Sequence, residues 1–166
     1  HDLKDNHFID VVKNKLVKYN VDIANIQFEI TESSYLDNFE NSNEFFNQIK
    51  QMGGSIALDD FGTGYSSLSY LTKIDIDTIK IDRMFVNQFD SSEKDAAVLK
   101  AILDLSKRLG LKLCSEGIET ASQANYLIEN GSDEMQGYYF AKPVAIAHIP
   151  AAKAQAKEAF KALTLK

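Results

Sequence analysis

Apolar residues recur at helical spacing over 5–19 (DNHFIDVVKNKLVKY), where Phe8, Val11, Val12, Leu16 and Tyr19 share one side. NIQFEI at 25–30 reads as a strand. The stretch 38–52 (NFENSNEFFNQIKQM) is amphipathic and is stopped by Gly53-Gly54. SIALD at 55–59 predicts a second strand, SSLSYLTKI at 66–74 a short helix with Ser66 as its N-cap, and TIKI at 78–81 a third strand. A strong helical pattern covers 93–109 and ends at Gly110. After it, LKLCSE (111–116) predicts a strand and ASQANYLIENG (121–131) a helix. EMQGYYFAKP (134–143) covers one or two short strands, and an Ala- and Lys-rich helix fills 148–163.

Strand and helix alternate through short connections, the pattern of a parallel α/β sheet or barrel. No Gly-rich linker or low-complexity segment interrupts it, so residues 1–166 are expected to form a single domain. The pattern holds about six strands at most, whereas a complete eight-stranded barrel takes about 250 residues. A barrel built from this chain is therefore expected to be incomplete by two strands.

Composition narrows the functional classes. The chain is 45% hydrophobic and 25% charged, ordinary values for a globular domain. Its formal net charge of -6 argues against a groove for a nucleic-acid polymer, which is usually basic. An anionic ligand would need metal ions or a local basic group. The one cysteine, Cys114, sits in an apolar run; it excludes an internal disulfide and reads as a buried small hydrophobe. No run approaches the ~18 apolar residues of a membrane span, and the polar start HDLKDNHF lacks a signal-peptide pattern. A cytosolic domain is the expectation. His1, His7 and His148 lie in polar or terminal segments and read as surface residues.

Polar residues cluster where the predicted strands end: Glu29 and Glu32 in FEITES, Asp59-Asp60 in SIALDD, Lys80 in TIKIDR, Glu116 in LCSEGIE and Gln136 in EMQGYY. In α/β barrels and open sheets such ends converge on the face that carries active sites. Side chains alternate along a strand, so Asp59 and Asp60 share a face only if the strand breaks between them. Gly62 and Gly64 in the following FGTG are expected to supply that break. Glu29, Asp59, Asp60 and Glu116 around one mouth would repel one another, and divalent cations with a preference for hard oxygen ligands would relieve this. A carboxylate shared by two ions suits phosphoester hydrolysis, with Lys80 as a cationic donor and Gln136 orienting water or substrate. Taken singly, each of these residues has an ordinary structural reading: a solvated glutamate, an aspartate in a turn or cap, a lysine paired with Asp82 or Glu116. The DFG triplet at 60–62 occurs without the Gly-rich and HRD loops of protein kinases, so it carries no kinase argument.

FEITES, LDDFGTGYSSLSYL, IKIDRMFV, SEGIET and EMQGYYFAKP, in this order and spacing, resemble the successive motifs of the EAL domain family over about residues 3–145. The resemblance implies a TIM-like (β/α) barrel that hydrolyses the bacterial second messenger cyclic di-GMP to linear pGpG with two Mg2+ or Mn2+ ions. It implies Glu29 as a metal ligand, Asp59 as a bridge between the ions and Asp60 as a ligand of the second. Lys80 would contact the attacking water or the phosphate. Glu116 would bind the second metal or act as base, and Gln136 would hold water. Glu119 would anchor the DFGTG loop, and Pro143 would lie on the ligand rim. The loop Phe61–Ser67 resembles the family's mobile loop, which couples dimerisation to metal binding.

Two departures stand out. Ser115 replaces a usual Ala, a change of little expected effect. The Glu-Ala-Leu strand and the next strand, with its metal-binding Asn, would by the family's spacing lie before His1. The expectation is an EAL domain with about six of eight strands, two metal ligands short, inactive or weak by itself, with a parent protein that is a cyclic di-GMP phosphodiesterase. The alternative is a catalytically silent module that binds cyclic di-GMP or a protein. A barrel lyase with a Schiff-base Lys80 is a minor third reading. The open barrel edge and the apolar side of 93–109 predict a homodimer, family-like or strand-exchanged. An upstream GGDEF or sensor domain often accompanies the family, in proteins that are cytoplasmic or anchored to a membrane with this part in the cytoplasm.

Overall fold

The computed structural model describes residues 7–63 and 68–164. Among them, five strands form a sheet in the order β1-β2-β3-β4-β5, with parallel β1/β2 and β4/β5 pairs. The α/β class expected from the alternating pattern is what is observed. The chain divides into two compact units, His1–Ile79 and Lys80–Lys166, and β3 (Thr78–Ile81) runs across the division.

In the first unit, α1 (His7–Tyr19) leads through a 3-10 turn to β1 (Gln27–Thr31). Two helices follow, α2 (Glu32–Asp37) and α3 (Phe39–Met52), and then β2 (Ser55–Phe61) and a 3-10 helix over Leu68–Thr72. Thr31 caps α2 by accepting the Ser34 N–H, and Gly53 ends α3 in the left-handed conformation at φ 92°. The inner face buries Tyr35, Phe46, Ile49, Ile56, Leu58 and Phe61. Tyr35 stacks on Phe46 with ring centroids 5.8 Å apart. Asp77 fixes the start of β2: its Oδ2 accepts the Ile56 N–H at 2.8 Å, while its other oxygen pairs with Lys50.

The second unit holds α4 (Arg83–Gln88), α5 (Glu93–Arg108), β4 (Lys112–Ser115), α6 (Ala121–Glu129), β5 (Glu134–Met135) and α7 (Ile149–Thr164). Thr120 and Gln123 form a capping box at the start of α6. The core joins Ile81, Val86, Leu99, Leu103, Leu113, Ile118 and Leu127, and α7 adds Ala156, Ala159 and Leu163 along one side. Asp133 repeats the device of Asp77, since its Oδ2 accepts the Leu113 N–H of the adjacent strand at 2.9 Å. Cys114 is buried, as its apolar run implied. Among the described residues no helix is long and apolar enough to cross a membrane.

Two local expectations change and one is met at its lower bound. SSLSYLTKI forms a 3-10 helix at Leu68–Thr72, and its expected cap Ser66 lies outside the described residues. The segment 134–143 supplies one two-residue strand. Beyond it the chain folds over the 116–118 stretch: Ile118 donates to Gln136 O, and Tyr139 donates to Ile118 O. A β-carbon on Gly137 would lie 2.1 Å from Ile118 O, so this crossing needs glycine. Finally, α2 and α4 occupy stretches in which no helix is expected from the pattern.

Candidate active site

Strand β1 pairs with β2 so that Thr31 stands beside Asp59 and Glu29 beside Ala57. Partners in a parallel pair point the same way, and alternate residues share a face. Glu29, Thr31 and Asp59 therefore lie on one face of this pair, near its C-terminal end. The alternation breaks at the next residue. Asp60 has φ 55°, in the left-handed region, and its N–H donates to Asp59 Oδ1 at 3.0 Å. The break thus falls at Asp60 itself, one residue before the FGTG in which it was expected. Aspartate tolerates this conformation better than most residues because its short polar side chain bonds locally.

A turn follows at once. The Thr63 N–H donates to Asp60 O at 3.2 Å and its hydroxyl to the same oxygen at 2.8 Å. Gly62, third in this turn, has φ 89°, as a type II turn requires. Its N–H donates to Glu32 Oε2 at 3.0 Å. Glu32 is 3% exposed, and its Oε1 accepts the Tyr70 hydroxyl at 2.8 Å. Burial, and then the hydrogen bond and charge of Glu32, hold the Tyr70 phenol far above its ordinary value. Residues 64–67 of the expected loop lie outside the described residues.

In the second unit, Lys80 leaves β3 with 6% exposure, and its Nζ lies 2.8 Å from Glu116 Oε1. Asp82, the other counter-ion considered for it, caps α4 by accepting the Met84 N–H at 2.7 Å. Glu116 follows β4, and its backbone N–H donates to Ile81 O at 3.1 Å. Gln136 follows β5; its N–H donates to Ser115 O at 2.8 Å and its side chain is exposed. Glu119 and Pro143 are exposed, and the Glu119 N–H donates to Gln123 Oε1. Ser115 is fully buried, with its hydroxyl 2.9 Å from that of Ser132.

Glu29, Asp59 and Asp60 offer carboxylate oxygens, the donor chemistry of Mg2+, Mn2+ or Ca2+. Among the described residues no group of three or more His, Cys, Asp or Glu side chains stands ready to hold an ion. The donor type of these three side chains is the one that hard cations prefer. The pattern of strand ends already singled out Glu32 without a role. Its burial and its pairing with Tyr70, 38 positions away, have no mark in the local sequence.

The chain is an α/β protein with acidic strand ends and a strand break at adjacent aspartates. A family profile described as EAL domain matches residues 1–143, and the chain belongs to the EAL domain family. It is 34% identical over 139 residues to the cyclic di-GMP phosphodiesterase NbdA of Pseudomonas aeruginosa, covering 84% of this chain and 18% of NbdA. The chain thus spans about a fifth of that relative. The PaMucR phosphodiesterase, solved as a c-di-GMP complex, superposes with a TM-score of 0.83 at 34% identity, over 89% of this chain and 60% of that one. BlrP1 of Klebsiella pneumoniae, solved with manganese and cyclic di-GMP, superposes with a TM-score of 0.79 at 26% identity, over 86% of this chain and 36% of BlrP1.

Proposed function

We propose that this chain is the catalytic part of a divalent-metal-dependent phosphodiesterase that hydrolyses cyclic di-GMP to pGpG. The observation that carries the reading is the Asp59-Asp60 junction. A left-handed aspartate at the end of a strand is a strained arrangement, kept in a chain of this family with each expected acidic position between Glu29 and Glu116 filled. Glu29, Asp59 and Asp60 would hold Mg2+ or Mn2+, which supplies Lewis acidity and an activated water when bound. Glu116 would add a further ligand or a base. Lys80 would place a cation at the phosphate or the attacking water, with its position set by Glu116. Gln136 would orient water, Glu119 would add to the hold that Glu32 has on the loop after Asp60, and Pro143 would lie on the rim. The reading carries with it a cytoplasmic site of action, a homodimer and an upstream GGDEF or sensor domain.

Incubation with cyclic di-GMP and Mg2+ or Mn2+, followed by chromatography, tests this. Appearance of pGpG that EDTA abolishes supports it; absence of product from this chain and from the protein that contains it contradicts it. A second reading, a silent module that binds cyclic di-GMP or a protein, draws support from the incomplete metal-ligand grouping among the described residues. Calorimetric binding of cyclic di-GMP with no turnover from the whole protein would select it.

A further inference from the structure

We propose that Tyr70 is a positioning residue, whose hydroxyl acts through buried Glu32 to fix Gly62 and so the turn that presents Asp60. The inference rests on the reading of Asp60 as a metal ligand and adds a residue to that site. Each Glu32 oxygen receives a donor from a different stretch of chain: Gly62 N–H at 3.0 Å and Tyr70 O–H at 2.8 Å. Gly62 is two residues beyond Asp60, inside the turn that Thr63 closes onto Asp60 O. The root of Glu32 is fixed, because it is the first residue of α2 and follows the Thr31 cap. The ring of Tyr70 is fixed as well. It is 7% exposed and packs against Tyr35 at a centroid distance of 5.8 Å.

A phenylalanine would serve packing alone. A buried phenol needs a partner for its O–H, and here the partner is the group that holds the Asp60 turn. With the hydroxyl removed, a buried carboxylate oxygen loses this donor. Glu32 then rotates or draws in water, and its grip on Gly62 weakens. Burial keeps the phenol protonated well above neutral pH, so the tie persists across the working range.

The test compares the chain with Tyr70→Phe, Tyr35→Phe and Glu32→Gln by amide hydrogen exchange and by Mn2+ titration followed in amide NMR spectra. Tyr70→Phe is expected to speed Gly62 exchange by about fivefold to tenfold, the loss of roughly one hydrogen bond. The Mn2+ concentration that half-broadens the Asp60 signal should rise by a similar factor. Tyr35→Phe removes a hydroxyl bonded to Asn43 and should leave both readouts unchanged. Adding Tyr70→Phe to Glu32→Gln should change neither further.

Unaltered Gly62 exchange in Tyr70→Phe, or an equal effect in Tyr35→Phe, would overturn the proposal. Should Tyr70→Phe fail to fold, the wild-type Tyr70 hydroxyl proton and Gly62 amide decide. Slow exchange of both, lost together in Glu32→Gln, supports the tie, and exchange of either at solvent rates overturns it. Wild-type Asp59 and Asp60 signals that ignore Mn2+ would contradict the metal-ligand reading instead, and Gly62 exchange would still decide the role of Tyr70.

Discussion

Lys80 Nζ lies 2.8 Å from Glu116 Oε1, with the two side chains 8% and 19% exposed. Removing Lys80 leaves the partly buried Glu116 carboxylate without this partner. Lys80→Met is expected to lower the stability of the chain by about 3 kcal/mol in urea unfolding. The double variant Lys80→Met with Glu116→Leu should recover much of that loss. A double variant as unstable as the single one would show that the lysine acts by packing rather than charge.

In the proposed reading, Asp60 separates stability from function. Its φ of 55° is unfavourable for any residue with a β-carbon. Asp60→Gly should be more stable than Asp60→Ala by about 1 kcal/mol, because both lose the carboxylate and only glycine relieves the backbone. Asp60→Ala should lower the unfolding free energy by about 1 kcal/mol, since it keeps the strain and loses the local polar side chain. Thermal unfolding of the two variants checks the order.

Gly137 and Gly110 are not equivalent. A β-carbon at Gly137 would meet Ile118 O at 2.1 Å, whereas Gly110, at φ 70°, has open space around it. Gly137→Ala should cost about 3 kcal/mol through forced backbone movement, and Gly110→Ala about 1 kcal/mol through strain alone. Equal losses in denaturant unfolding would contradict the close crossing.

Tyr70 and Tyr35 are both held above the ordinary value of 10.0, chiefly by burial. The sign follows from proton counting. The folded state keeps protons that the unfolded state releases, so stability is full below pH 10 and falls as pH rises beyond it. For Tyr70, the more strongly held of the two, the slope approaches about 1.4 kcal/mol per pH unit above pH 10. Tyr70→Phe should lose stability less steeply above pH 10 than the wild type, measured by urea unfolding in a pH series. An unchanged slope would mean that the Tyr70 phenol titrates equally in both states.

Much of this architecture is legible in the sequence, for identifiable reasons. The helices at Phe39–Met52 and Glu93–Arg108 run long enough to show their period, and Gly53 and Gly110 mark their ends. The six-residue helices α2 and α4 hold too few turns to show one, and only their caps, Thr31 and Asp82, announce them. The acidic strand ends are visible as residues. Their geometry is not, because the break at Asp60 depends on a turn closed by Thr63 and on a glutamate 30 positions from Gly62. The Lys80–Glu116 pair was one of two partners open to Lys80; only the capping role of Asp82 separates them.

The central claim is that the Asp59-Asp60 end of β2 serves metal-dependent hydrolysis of cyclic di-GMP. The most direct measurement is the Mn2+-dependent yield of pGpG from the protein that contains this chain, wild type against Asp60→Gly, at matched folded fraction. The account predicts product from the wild type that EDTA removes, and a loss of at least about 100-fold in the variant despite its intact fold. Product at the wild-type rate from Asp60→Gly, or none from either protein, would contradict it.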